Sequence, residues 1–91
     1  MPVKQVHILL SGRVQGVGFR YFARHQAEEL NILGWVKNTP DGRVEIEASG
    51  EALQVDTFIF RMKTGPARAV VATFAVSDLS PERIFTRFTI R

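Results

Sequence analysis

The chain has 91 residues, 45% of them apolar, enough for one compact domain whose folding removes somewhat more than roughly 60% of the unfolded surface from water. It contains no cysteine, which excludes disulfides, thiolate metal sites and thiol nucleophiles. Twelve Lys and Arg against nine Asp and Glu give a formal charge of +3, and their spread from Lys4 to Arg91 fits a small anion better than nucleic acid, whose binders concentrate charge in a stripe.

From Lys4 to Leu10 the period is two, with Val6, Ile8 and Leu10 on one face, which predicts a strand ending at Ser11-Gly12. This N-terminus has no unbroken apolar stretch of signal-peptide length, and nothing later approaches the roughly 20 apolar residues of a membrane span, so a cytoplasmic location without a membrane partner is expected. Residues 12–20 hold three glycines within seven positions, too many for a helix or strand interior, and are expected to form a structured loop. Helical spacing follows from Tyr21 to about Leu30, with Phe22, Ala23, Ala27 and Leu30 on one stripe. Asn31 stops the helix, because Asn is the residue after Gly that best tolerates the left-handed conformation.

Trp35 to Asn38 is expected as a second strand, Thr39-Pro40-Asp41-Gly42 as a turn, and Arg43 to Ala48 as a third strand completing a hairpin. Ala52, Val55, Phe58, Ile59 and Met62 predict a second helix over 51–62, ended by Gly65-Pro66. Val70, Ala72, Phe74 and Val76 alternate as a fourth strand, Ser80-Pro81 breaks the chain, and Ile84, Thr86, Phe88 and Ile90 alternate again toward a short final strand. The order is βαββαβ plus a short C-terminal strand. That is an α+β, ferredoxin-like split βαβ sandwich with two helices on one face of an antiparallel sheet. No linker or repeat divides it, so residues 1–91 are read as a single domain.

A glycine-rich loop entering a helix presents backbone N–H groups to an anion, and Arg20 at its end can add a bidentate, permanently charged fork. The loop is not a Walker A motif, since Gly18 is followed by Phe19 and Arg20 rather than Lys and Ser or Thr. It is not a dinucleotide fingerprint either, since Tyr21 stands where Gly or Ala is required. No nucleotide cofactor is indicated, and no His, Asp or Glu spacing points to a metal. His7 and His25 fall on polar faces and are read as solvated. Phe19, Phe22, Trp35, Phe58, Phe74 and Phe88 are read as core aromatics.

Gly12-Arg13-Val14-Gln15-Gly16-Val17-Gly18-Phe19-Arg20 resembles the first signature of the acylphosphatase family. Gly34-Trp35-Val36-Lys37-Asn38 with Asp41-Gly42-Arg43-Val44-Glu45 resembles its second. The likeness extends to Gly50, Val55, Phe58, Gly65-Pro66 and Phe88-Thr89-Ile90; it departs at Asn31, where relatives usually carry Gly, and is loose from Ser77 to Thr86. The resemblance implies hydrolysis of acyl phosphates by a metal-independent, cofactor-free enzyme. It further implies that Arg20 and the amides of Gln15, Gly16, Val17, Gly18 and Phe19 bind the phosphate, while Asn38 positions the attacking water. A free-standing monomer is expected, without the cysteine-rich continuation of the related hydrogenase-maturation proteins.

Two other classes compete. Residues 15–22 superficially resemble the RNA-recognition signature, but Val17 stands in place of a base-stacking aromatic, Arg20 in place of a core aliphatic and Gln15 in place of the leading cation. That signature also belongs on a third strand rather than after the first. A relative that binds phosphate without turning it over is the other class, and the presence of both Arg20 and Asn38 gives no reason to prefer it.

Overall fold

The computed structural model describes residues 2–80 and 84–91. Its elements are β1 (Val3–Arg13), α1 (Phe19–Glu29), β2 (Leu33–Asn38), β3 (Val44–Glu51), α2 (Ala52–Thr64), β4 (Val70–Leu79) and β5 (Phe88–Ile90), and the sheet order is β4-β1-β3-β2-β5. β1 pairs antiparallel with both β3 and β4, and β2 antiparallel with β3. The expected ferredoxin-like arrangement is present, with one addition: β5 runs parallel to β2, so the five-stranded sheet is mixed rather than wholly antiparallel. Among the described residues no helix is long and apolar enough to cross a membrane.

The period-two residues Val6, Ile8 and Leu10 of β1 and Val44, Ile46 and Ala48 of β3 are fully or almost fully buried, and they meet Ala23 and Ala27 of α1 and Val55, Phe58 and Met62 of α2. Each large apolar side chain covered in this way contributes about 1.5–3 kcal/mol. The small alanines let α1 lie close to the sheet. Phe58 packs edge-on against Phe88 at 5.9 Å, which ties α2 to the short final strand. In β2 the face of Gly34 and Val36 is the helix-facing one, and by the same alternation it includes Asn38.

Asn31 ends α1 as expected: its φ is 57°, and the Ile32 amide donates back to the Ala27 carbonyl at 2.8 Å. Other boundaries moved. β1 continues through Gly12 to Arg13, because Gly12 at φ 121° lets β4 come so close that a Cβ there would lie 2.2 Å from the Val70 carbonyl oxygen. The pairing shifts register at this point, Ser11 facing Thr73 and Gly12 facing Val71, so Ala72 is an extra residue in β4. The bulge reverses the alternation. Val71 and Phe74 pack against the core, whereas Val70 and Ala72, expected on one face with Phe74, are exposed; Val76 keeps that face, paired with Ile8 as Phe74 is with Leu10, but is 40% exposed. Ile84 and Thr86 lie outside the final strand, Ile84 being 91% exposed, and Pro81 of the expected break at Ser80-Pro81 lies outside the described residues.

Trp35 is buried, but on the helix-free face of the sheet. Arg91 and Lys37 cover its ring, their cationic groups 4.7 and 5.4 Å from its centroid. On the same face His7 is half-buried and bonds the Glu45 carboxylate at 2.7 Å, so it is not simply solvated as expected. This hydrogen bond, aided by the Lys37 charge, holds the Glu45 carboxyl below its usual value.

Gly34 has a steric role in β2. At φ 140° a Cβ would sit 1.9 Å from the Glu47 carbonyl oxygen of β3. Gly34→Ala is therefore expected to lose at least about 2 kcal/mol, the sum of backbone strain and forced separation of the strands. The check is the urea midpoint at constant slope; a variant as stable as the wild type would show that β2 and β3 can part there at no cost.

Candidate active site

β1 ends at Arg13, Val14 turns its side chain into the core, and Gly16 and Gly18 then take left-handed φ values of 74° and 79°. A Cβ at either glycine would meet nothing within 4 Å, so conformation, not space, demands glycine in both places. The result is a curl of chain built on left-handed residues, a backbone conformation from which anion-binding N–H concavities are made. Gly18 is the N-cap of α1 and provides no side-chain cap. Among the described residues nothing accepts from the N–H groups of residues 16–21.

Phe19 and Arg20 form the first turn of α1, although both were expected in the loop; the left-handed Gly18 starts the helix two residues early. Phe19 is buried and packs edge-on against Phe22 at 6.0 Å, which fixes the direction of the helix. A cation in the first turn of a helix opposes the macrodipole, and this turn has no acidic residue to offset it. Arg20 makes no ion pair or hydrogen bond among the described residues. Positive potential of this kind at a helix N-terminus is the electrostatic setting that favours an anion.

Opposite this curl stands Asn38, the last residue of β2 on the helix-facing side. Its Oδ1 is buried and accepts no hydrogen bond among the described residues. Leaving such an atom unpaired costs about 1–3 kcal/mol, so its retention points to a partner from outside the chain. Asn38, Arg20, Gly16, Gly18, Phe19, Val14 and Tyr21 together line a cavity of about 110 Å³. This is several times the space that one water needs. A larger groove of about 590 Å³ between α1 and β5 includes neither the glycine curl nor Asn38.

The turn after Asn38 is internally locked. The Gly42 amide donates to the Thr39 carbonyl at 3.1 Å, and the Thr39 amide to the Arg43 carbonyl at 2.9 Å. Bonds from Arg43 and Thr39 lower the Asp41 carboxyl from its usual 3.8 to about 2, so it stays anionic through the neutral range. Neither histidine reaches the cavity: His7 is engaged with Glu45, and the exposed His25 lies 3.4 Å from Glu29.

A model of the acylphosphatase family matches residues 6–90. The chain belongs to that family. It is 41% identical over 90 residues to an acylphosphatase from Chlorobaculum tepidum, covering 99% of this chain and 98% of the relative. To an acylphosphatase from Marinobacter nauticus it is 46% identical over 88 residues, covering 97% and 96%. A crystal structure of acylphosphatase from Bacillus subtilis superposes with a TM-score of 0.93 at 40% identity, covering 97% of this chain and 98% of that one.

In this member of the acylphosphatase family, five of the residues singled out from sequence, Gly16, Gly18, Phe19, Arg20 and Asn38, come together around one cavity. Two do not. Val17 packs against the core, and Gln15 turns its side chain away toward the 39–43 turn. Val14 and Tyr21 also line the cavity and were not foreseen. Tyr21 is 64% exposed, with the Arg24 guanidinium 5.5 Å from its ring centroid, and nothing in its sequence neighbourhood distinguishes it from a solvated helix residue.

Proposed function

We propose that this chain is an acylphosphatase that cleaves the carboxyl-phosphate bond of acyl phosphates, releasing a carboxylate and inorganic phosphate. The observation that carries the reading is one convergence: among the described residues, an unpaired guanidinium, a run of free backbone amides and a buried, unpaired amide oxygen share one cavity.

The amides of residues 15–19 and the Arg20 fork hold the phosphoryl oxygens. Asn38 Oδ1 accepts a hydrogen bond from a water and directs that water's lone pair at phosphorus, in line with the acyl oxygen. As the new P–O bond forms, the old one breaks and its electron pair leaves on the carboxylate. The water's second proton passes to a phosphate oxygen or to solvent. A carboxylate is a good leaving group unprotonated, so no general acid is needed. Phosphoryl transfer is loose, with little bonding to the nucleophile, so a neutral amide suffices to orient the water. Catalysis is then mainly electrostatic, from donors already in place. The cavity lining holds no carboxylate, histidine or thiol, so the reading assigns no step to a metal. Every group it uses comes from one chain, consistent with a monomer.

The rival RNA-binding reading needs an open aromatic on the helix-free sheet face, and Trp35 there is only 5% exposed beneath Arg91 and Lys37. The test is hydrolysis of benzoyl phosphate by the purified protein with EDTA present. Turnover undiminished by the chelator is expected, with comparable rates on acetyl and carbamoyl phosphate, because the recognised part of the substrate is the phosphate. No turnover, with inorganic phosphate still bound, would leave a phosphate-binding domain in its place.

A further inference from the structure

Gln15 belongs to the loop by sequence, yet its side chain is absent from the cavity lining. Its Nε2 instead donates to the Thr39 carbonyl at 2.8 Å and to the Arg43 carbonyl at 2.9 Å. These bonds use both amide protons and span the base of the turn that begins one residue after Asn38. Among the described residues they are the only hydrogen bonds between residues 14–20 and 38–43.

The turn does not need them to satisfy its own backbone. The Thr39 carbonyl already accepts from the Gly42 amide at 3.1 Å. The Arg43 carbonyl already accepts from the Thr39 amide at 2.9 Å, while the Thr39 hydroxyl gives its one proton to the Asp41 carboxylate. Gln15 takes remaining lone pairs, so its loss orphans neither carbonyl and carries no full desolvation cost. What the two bonds add is geometry. A single amide group held at two points fixes both the separation and the relative rotation of the loop and the turn.

That separation matters because the two halves of the site lie on different elements: the amides and Arg20 on the curl and α1, Asn38 at the end of β2. A water aimed by Asn38 must reach a phosphorus held by the curl in line, and a misplacement of about 1 Å costs about a hundredfold in rate. We infer that Gln15 is a positioning residue for the proposed hydrolysis, a two-point brace that sets the distance between the phosphate cradle and Asn38.

The experiment compares wild type with Gln15→Ala and Gln15→Met on benzoyl phosphate, with urea denaturation to confirm folding and inorganic phosphate as a competitive inhibitor. Met keeps the reach and bulk of Gln without its donors. Both variants are expected to lose about tenfold or more in kcat, while the inhibition constant for phosphate changes less than about threefold, because the amides and Arg20 remain. Recovery of wild-type kcat by Gln15→Met would show that Gln15 only fills space. Weakening of phosphate binding as large as the loss of kcat would make it part of the cradle. Either result overturns the brace. Wild-type turnover is measured first; without it the proposed function itself fails, and the brace with it, whereas an active wild type alongside fully active variants sinks the brace alone.

Discussion

Arg20→Gln is expected to lower kcat/KM for benzoyl phosphate by about three powers of ten or more, the range in which arginines act on phosphoryl transfer. The geometry explains the size. Among the described residues Arg20 is the one cation lining the cavity and has no partner, and it stands in the first turn of α1, where its charge adds to the dipole and the free amides. Replacing it removes charge and two directed donors at once. Arg20→Lys is expected to recover only part of the loss, because one ammonium cannot match two phosphate oxygens as a planar fork does. The fold should not suffer in either variant, since a cation at this end of a helix is a cost relieved by removal. Wild-type kinetics in Arg20→Lys would mean that charge alone is recognised and would discard the bidentate account.

Asn38→Ala is expected to reduce kcat by about a hundredfold to a thousandfold, the usual cost of deleting one preorganised polar group from an active site. Phosphate inhibition should hardly change, because Asn38 is assigned to the water and not to the phosphoryl group. The structure adds a second expectation. A buried oxygen that no described residue satisfies is a standing cost, so the alanine variant should be no less stable than the wild type in urea. The combination is diagnostic: activity lost and stability kept marks a group retained for chemistry. Stability lost along with activity would show that Asn38 holds the turn together, and the water assignment would fall.

Much of this site was legible in the sequence. Three glycines with an arginine at the junction of a strand and a helix fit a tight turn with an exposed charge as well as an anion loop, and it was the family resemblance that favoured the anion loop; the structure adds that Gly16 and Gly18 are required for their φ values. Asn38 was readable in a way the turn beside it obscured. Counting by twos from Gly34 through Val36 places it on the apolar face, where a polar side chain calls for an explanation. Gln15 was expected to contribute an amide, and its side chain proved to point to a turn 24 residues on, which no local rule can indicate. The expected face of β4 failed at Val70 and Ala72 for a comparable reason: the extra residue at Ala72 reverses the alternation from there on, and its cause is Gly12 on another strand.

By itself the sequence determined what depends on neighbours along the chain. These are the order and type of elements, the left-handed stop at Asn31, the turn at Asp41-Gly42 and the glycine curl ahead of Arg20, all set by φ/ψ preference and apolar period. The tertiary structure decided what depends on neighbours in space: the parallel seat of β5 beside β2, the burial of Trp35 under two cations, the β4 bulge, and the meeting of Arg20 with Asn38 across the cavity. Periodicity states which face of an element is apolar. Which faces then meet, and at what separation, is settled only when all of them compete for one small core.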